Sequence, residues 1–285
     1  MKNINDICVV VQARLNSQRV PRKMIRDFNG TNLFSLVIDK VLKSEIISKE
    51  NFYVSVYEKE LKDIAKDKGV QIYERSYDSA NNDNSLQIMY EWHDKLPFKY
   101  VIKINGCLPL LKTETIDGFI KQFLKQTEES LFGVIETKDY YFNKEGKLVT
   151  PWPKDQTIMN TKAVEVTYKA AHAIYASRMD LIKEDRFMGD FQGGIKLYPM
   201  NELECFDIDY EWQFKIAEKL EYDSMRFYTN RFGTKIQVDS TIEDHYFNED
   251  NNLKLYYLKH FDYRNLIEED YDVKFELEFA IELFF

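Results

Sequence analysis

The sequence predicts an α/β protein built on a mostly parallel twisted sheet with helices on both faces. Three observations predict it. Ile7 to Val11 (ICVVV) is an unbroken, largely β-branched apolar run, the pattern of a strand buried on both faces. From Ile7 to Leu124, strand-like runs alternate with amphipathic stretches of helical period, the order that builds parallel sheets. The chain of 285 residues, 44% hydrophobic and 15% aromatic, can fill the core of one large domain or of one domain with an appendage.

Taken in order, Ile7 to Val11 is the first strand, and a polar, basic loop follows from Gln12 to Lys23. Asn29-Gly30 marks a turn, after which Leu33 to Leu42 has apolar residues at helical spacing. Phe52 to Val56 reads as a second strand and Glu58 to Lys68 as a second helix. Tyr100 to Ile104 and Thr113 to Leu124 repeat the pair. Thr137 to Met159 is polar, holds Pro151 and Pro153, and reads as an excursion from the sheet. Ala171 to Ala176 and Ile195 to Tyr198 read as further strands. Glu211 to Leu220 reads as a helix directly after Phe206-Asp207-Ile208-Asp209. The expected organisation is a domain over 1–222, with the excursion at 137–159, and an aromatic, acidic appendage over 223–285 that carries no functional signal. In such sheets ligands bind beyond the carboxyl ends of the strands, so the loops after Val11, Val56 and Ile104 are where a site belongs.

Charge narrows the function. A net charge of −9 argues against nucleic acid and anionic membrane as partners, because both want a basic face. The three cysteines, Cys8, Cys107 and Cys205, lie far apart with no CxxC pair, which fits a reducing compartment and neither a disulfide framework nor a zinc site. No apolar run approaches the roughly 18 residues of a membrane span, and no secretory signal opens the chain, so a cytoplasmic location is expected.

Against that acidic background, Cys8 to Arg26 holds no acidic residue and five basic ones: Arg14, Arg19, Arg22, Lys23 and Arg26. At the end of a buried strand, arginine and lysine grip a polyphosphate, and backbone amides add donors. A solvated surface loop is the alternative, and the preceding apolar strand favours phosphate. Asp207 and Asp209, two apart on an extended segment, have the oxygen chemistry of a Mg²⁺ site. Their alternative is an N-cap with a nearby charge. Cys107 has no histidine near it in sequence and reads as a small apolar filler. His172 reads as a core histidine, with contact to a substrate as the alternative. Trp152 and Tyr140-Tyr141 read as packing at a dimer interface, with stacking on an acceptor as the alternative.

These residues form a larger pattern. Gln12-Ala13-Arg14-Leu15-Asn16-Ser17-Gln18-Arg19-Val20-Pro21-Arg22-Lys23 resembles the opening motif of the CMP-sugar synthetases, roughly ARxxSxRxPxK. Arg75 to Ser85 (RSYDSANNDNS) is similar to the family's second motif, which frames cytosine and ribose. Asn105-Gly106-Cys107-Leu108-Pro109-Leu110 stands where the family has its third-strand motif ending in proline. Asp207-Ile208-Asp209 with Trp212, Phe214 and Ala217-Glu218 resembles its C-terminal DxD and helix.

The resemblance covers about Ile7 to Leu220 and implies a Rossmann-like nucleotidyltransferase, often dimerised through an inserted segment. It implies transfer of CMP from CTP to a small anionic acceptor, with Mg²⁺ as cofactor and pyrophosphate as leaving group. Ala13, Arg14, Ser17, Arg19 and Lys23 would then bind the triphosphate. Arg75 and Ser85 would lie against the base, with Ala80 lining it, and Asp207 and Asp209 would hold the metal. Arg14, Lys23, Asp207 and Asp209 make up the implied catalytic set, and Asn105, Lys162 and His172 the acceptor side.

The departures fall on the acceptor side. Asn105-Gly106-Cys107-Leu108-Pro109 replaces a polar Gln-x-Thr-Ser-Pro stretch, and Asn160-Thr161-Lys162-Ala163 replaces an arginine-rich motif. The strand end before the second helix, usually carrying aspartate, reads Ser55-Val56-Tyr57. Sialic acid is therefore not the expected acceptor. Another acidic sugar, or a phosphorylated sugar, polyol or small acid, fits instead, as does a role in surface glycan synthesis. A non-catalytic nucleotide-binding relative is the alternative, against which the retained aspartates and basic loop argue.

Overall fold

The structure, a computed structural model, describes residues 2–81, 84–186 and 195–231. The chain divides into two compact units, Met1–Ala217 and Glu218–Phe285, and the boundary falls within a helix. Of the second unit only residues 218–231 are described, so most of the expected 223–285 appendage lies outside the described residues.

The first unit alternates strands and helices as the sequence predicts. β1 (Ile7–Gln12), α1 (Leu33–Leu42), β2 (Phe52–Val56) and α2 (Lys59–Asp67) follow one another. Then come β3 (Gln71–Glu74), α3 (Tyr77–Asn81) and α4 (Leu86–Met89). β4 (Tyr100–Asn105), α5 (Thr113–Lys125), β5 (Leu131–Thr137), β6 (Thr167–Arg178) and β7 (Lys196–Met200) follow, and α6 (Glu211–Arg231) begins in this unit. The strands form one sheet in the order β3-β2-β1-β4-β6-β5-β7. Pairs β1–β2, β1–β4, β2–β3 and β5–β7 are parallel, and β6 runs antiparallel to both its neighbours.

The two sheet faces are closed differently. Ile7, Val9 and Val11 of β1 face a large core built with Phe34 and Ile38 of α1, Leu61 of α2 and Phe119 and Phe123 of α5. Cys8 and Val10 face a smaller core around Tyr90, Trp92, Phe132 and Tyr175, packed by the short α4 and by irregular turns. Full-length helices thus cover one face, and the other is closed by aromatic side chains on short turns.

β6 departs from a regular ladder. Phe132 pairs with Tyr175 and Val134 with Ala170, so Gly133 alone stands opposite the stretch from Ala171 to Ile174. A Cβ on Gly133 would lie 2.9 Å from the Ile174 carbonyl oxygen and 2.7 Å from the Met200 sulfur, which explains glycine there. His172 takes φ 51° inside this bulge, a conformation rare for a residue with a side chain, and the kink turns His172 outward.

The excursion has no regular element between β5 and Asn160; an isolated bridge joins Phe142 to Leu148. Sequence reading passed over β3, α3, α4 and β5. β3 is a short edge strand without an apolar run, and β5 is interrupted by the glycine that accommodates the bulge.

Candidate functional site

The basic loop is held at its base; the Arg19 and Arg22 side chains are more than half exposed, whereas Lys23 is turned inward. Val20, Met24 and Phe28 are buried in the main core, and the Phe34 amide donates to the Met24 carbonyl at 3.0 Å. Its start is tied to β2, where the Ala13 amide donates to the Ser55 carbonyl at 3.2 Å and the Leu15 amide to Glu58 Oε1 at 2.7 Å. The Ser17 hydroxyl accepts from the Val20 amide at 3.3 Å and closes the turn that presents Arg19.

That loop meets the Asp207–Asp209 segment across a sequence gap of nearly the whole domain. Ile208 is fully buried; its amide donates to the Cys107 carbonyl at 3.2 Å and its carbonyl accepts from Lys23 Nζ. With Ile208 turned into the core, the aspartates on either side face the carboxyl edge of the sheet. Asp209 Oδ1 lies 2.6 Å from Arg19 Nη2 and 4.0 Å from Lys23 Nζ. The helix N-terminus is capped by Gln213, whose Oε1 accepts from the Asp209 and Tyr210 amides at 2.7 and 2.8 Å. The capping alternative for Asp209 is thereby met by another side chain, which leaves its carboxylate to the cations.

Asp207 is the electrostatic focus. Its Oδ2 accepts from Asn105 Nδ2 at 3.4 Å, while its Oδ1 is buried with no hydrogen-bond partner among the described residues. Burial holds its pKa above the ordinary 3.8, and the Asp209 charge adds to the rise. The Lys23 charge, the Asn105 hydrogen bond and His172 oppose it without cancelling it. A buried carboxylate oxygen without a donor, beside a second carboxylate, suits a hard divalent cation that takes oxygen ligands. Asp207 and Asp209 therefore fit Mg²⁺. No group of three or more metal-ligating side chains forms among the described residues.

The residues that the resemblance assigns to the base lie on the β2–β3 side. Arg75 is 5% exposed; its Nε donates to Ser79 Oγ at 3.1 Å and its Nη2 to the Ser79 carbonyl. The structure thus shows Arg75 bracing α3 from within. Burial, and after it the Arg14 charge, lowers its pKa to about 10. Ala80 is buried, with its carbonyl 3.4 Å from Arg14 Nη1, and Asn16 Nδ2 donates to Asn81 Oδ1 at 2.8 Å. Ser85 caps α4 by accepting from the Ile88 amide at 3.3 Å. Asn82 and Asp83 of this motif lie outside the described residues.

Of the residues that the resemblance assigns to the acceptor, Asn105 also donates through Nδ2 to the His172 carbonyl at 2.9 Å, so the β6 bulge and the end of β4 meet beside Asp207. His172 Nδ1 is 3.1 Å from the Tyr175 hydroxyl. His172 is exposed at this edge rather than a core residue, a correction to its first reading. Lys162 is exposed on a short turn after the excursion, and no described contact joins its side chain to these groups. Cys107 packs its sulfur 3.7 Å from Met24 Sδ, and burial raises its pKa, as befits a filler.

Sequence reading missed Glu58 and the Gln12–Trp92 pair. Glu58 lies one residue beyond the strand end that was read as lacking a carboxylate; its Oε1 holds the Leu15 amide, and its Oε2 is buried without a partner among the described residues. Trp92 Nε1 donates to Gln12 Oε1 at 3.1 Å, fixing the first residue beyond the apolar run of β1. No motif marks these pairs, because they join residues far apart in the chain.

Comparison with known proteins places the chain in a family. The chain is 24% identical over 231 residues to post-translational flagellin modification protein B of Campylobacter coli, covering 76% of this chain and 95% of that protein. It is 26% identical over 186 residues to 3-deoxy-manno-octulosonate cytidylyltransferase of Francisella tularensis subsp. holarctica, covering 64% of this chain and 66% of that one. In fold it is similar to a CMP:2-keto-3-deoxy-manno-octonic acid synthetase solved with CTP, at TM-score 0.58 and 13% identity, over 77% of this chain and 99% of that one. It is also similar to 4-diphosphocytidyl-2C-methyl-D-erythritol synthase of Anaerococcus prevotii, at TM-score 0.53 and 14% identity, over 75% and 95% of the two chains. No helix among the described residues is long and apolar enough to cross a membrane. Residues 8–261 match the family described as cytidylyltransferase, and the chain belongs to that family as a CTP-dependent nucleotidyltransferase.

Proposed function

We propose that this enzyme transfers CMP from CTP to a small anionic acceptor, an acidic sugar or a phosphorylated small molecule, and supplies a cytidine-activated precursor for surface glycan synthesis. The observation that carries the reading is the meeting of the basic loop with Asp207 and Asp209 at the carboxyl edge of the sheet. The name of one relative, 3-deoxy-manno-octulosonate cytidylyltransferase, supports an acidic-sugar acceptor.

An acceptor oxygen attacks the α-phosphorus in line; the new P–O bond forms as the bond to the β-phosphate oxygen breaks, and pyrophosphate leaves with its electron pair. A hydroxyl acceptor loses its proton to water, whereas a phosphomonoester is already ionised. Arg14, Arg19 and Lys23 hold the β- and γ-phosphates and match the charge that grows on the leaving group. Arg19 is paired with Asp209, so a phosphate that takes this guanidinium exchanges one anion for another. Asp207 and Asp209 would hold Mg²⁺, which when bound neutralises phosphate charge. Glu58 keeps the loop seated on β2, so the cations are positioned before substrate arrives.

Exposed apolar side chains on the excursion, Tyr141, Phe142, Val149 and Trp152 among them, support a homodimer, which light scattering would check. The functional test is nucleotide choice. With Mg²⁺ and a panel of sugar acids and phosphates, pyrophosphate should be released from CTP far faster than from ATP or GTP, because a wrong base leaves buried polar groups unpaired. Equal release from all three would refute the cytidylyl assignment.

A further inference from the structure

The side-chain amide of Gln12 is fixed at one end and open at the other. Gln12 is the last residue of β1, directly before Ala13 and Arg14. Trp92 is fully buried, and an indole nitrogen can only donate, so its 3.1 Å bond to Gln12 Oε1 settles which way the amide faces. The Nε2 end then carries two N–H donors with no hydrogen-bond partner among the described residues. Ser55, the register partner of Gln12 on β2, projects from the same sheet face one strand away. It is 0% exposed, and its hydroxyl too has no partner among the described residues. Buried polar groups are ordinarily paired, so two neighbours left open at the carboxyl end of the sheet point to a ligand that completes them.

The strand order says which part of a nucleotide lies there. The aspartates stand against β4, where Asn105 Nδ2 is 3.4 Å from Asp207 Oδ2 and the Ile208 amide donates to the Cys107 carbonyl. Gln12 has Asn105 as its register partner on that side and Ser55 on the other. Beyond Ser55 the chain is drawn into one hydrogen-bonded block. Arg75 Nε donates to Ser79 Oγ and Ser79 Oγ to the Met89 carbonyl, both at 3.1 Å, while Ser76 bonds twice to Glu91. Trp92 follows Glu91 in this block, and the Ala80 carbonyl lies 3.4 Å from Arg14 Nη1. The block thus touches the start of the basic loop at two points, Gln12 and Arg14. With phosphates on the loop and a metal on the aspartates, the β2 side offers an amide, a hydroxyl and the small, buried Ala80, a lining for an uncharged ring.

We propose that Gln12, locked by Trp92, contacts the pyrimidine ring and sets the choice of CTP over UTP. The proposal rests on the cytidylyl-transfer reading. Cytosine presents two adjacent acceptors, O2 and N3, which suit the donors of an amide nitrogen. Uracil carries a hydrogen on N3, so donor would face donor. The amide cannot turn its oxygen to that hydrogen without leaving the Trp92 N–H buried and unpaired, which carries the full cost of an unmet donor. Arg75, 5% exposed and directed inward at Ser79, leaves this discrimination to Gln12.

The test titrates the full chain calorimetrically with CTP and with UTP, each with Mg²⁺, as wild type, Gln12→Met and Gln12→Glu, with melting temperature as the control for folding. The wild type should bind CTP at least about tenfold more tightly than UTP. Gln12→Met keeps the length of the side chain and removes its donors, so the preference should fall to within about twofold, through weaker binding of CTP. Gln12→Glu keeps an oxygen for Trp92 and makes the second atom an acceptor, so at neutral pH the preference should turn toward UTP. A wild type that binds both nucleotides alike or neither, an equal loss for both in Gln12→Met (the mark of a merely structural role), or a Gln12→Glu that still prefers CTP would overturn it. Pyrophosphate release with the panel of sugar acids and phosphates is read separately. If the preference depends on Gln12 while no acceptor yields pyrophosphate, the transfer reading fails and the base contact stands. If CTP is turned over and the preference ignores Gln12, the transfer reading stands and the base contact falls.

Discussion

Asp207→Asn should make the protein more stable and far less active. The carboxylate is largely buried, one oxygen has no partner, and burial holds the pKa above the ordinary 3.8. A raised acid pKa means that the folded state binds the proton more tightly than the unfolded chain does. The penalty is therefore absent below pH 3.8, grows as pH rises toward the folded pKa, and is present in full above it. A buried polar group without a partner costs about 1–3 kcal/mol, and Asp207 keeps some solvent contact, so the lower half of that range applies. Asparagine preserves the volume and removes the charge. The variant without ligand should melt about 2–8 °C higher at pH 7.5, by the usual relation for a domain of this size, with a smaller gain at pH 4.5. CTP with Mg²⁺ should raise the wild-type melting temperature and barely move the variant, because a ligand stabilises only the form that binds it. Turnover, followed by pyrophosphate release, should fall at least about 100-fold, as expected for loss of a metal ligand. Scanning fluorimetry at the two pH values, with and without ligand, provides the measurement. A variant that melts lower at pH 7.5, or that gains as much from CTP and Mg²⁺ as the wild type, would refute the reasoning.

Arg14→Ala and Lys23→Ala should each lower kcat/KM for CTP about ten- to a hundredfold, since a charged contact to phosphate contributes about 1.5–3 kcal/mol; steady-state kinetics decides. Arg26→Ala should leave CTP use intact and instead lower the melting temperature by a few degrees, because Arg26 pairs with Glu211 through two 2.7 Å bonds and lies 4.3 Å from the Phe214 ring centre. If all three arginine and lysine variants behave alike, the loop is a solvated surface. Glu58→Ala should raise KM for CTP and cost about 1–3 kcal/mol of stability by orphaning the Leu15 amide, whereas Glu58→Gln keeps an acceptor oxygen and should recover most of both. Equal kinetics for wild type and Glu58→Ala would remove Glu58 from the loop's support.

The sequence by itself determined the elements whose pattern is local. A strand buried on both faces must be apolar at every position, so Ile7–Val11 declared itself, and α1 and β2 fall at the ends that were read. The basic loop and the Asp207–Asp209 pair were legible as unusual residue types concentrated in short stretches. Only tertiary structure decided what those stretches face. Arg19 meets Asp209 across the fold, Gln213 takes over the cap, and burial rather than sequence makes Asp207 a poor carboxylate in the absence of a cation. The β6 bulge that turns His172 outward depends on Gly133, a residue on a different strand. Periodicity records which face a residue occupies within its own element; the partner across the sheet is chosen by register, which no single stretch of sequence contains.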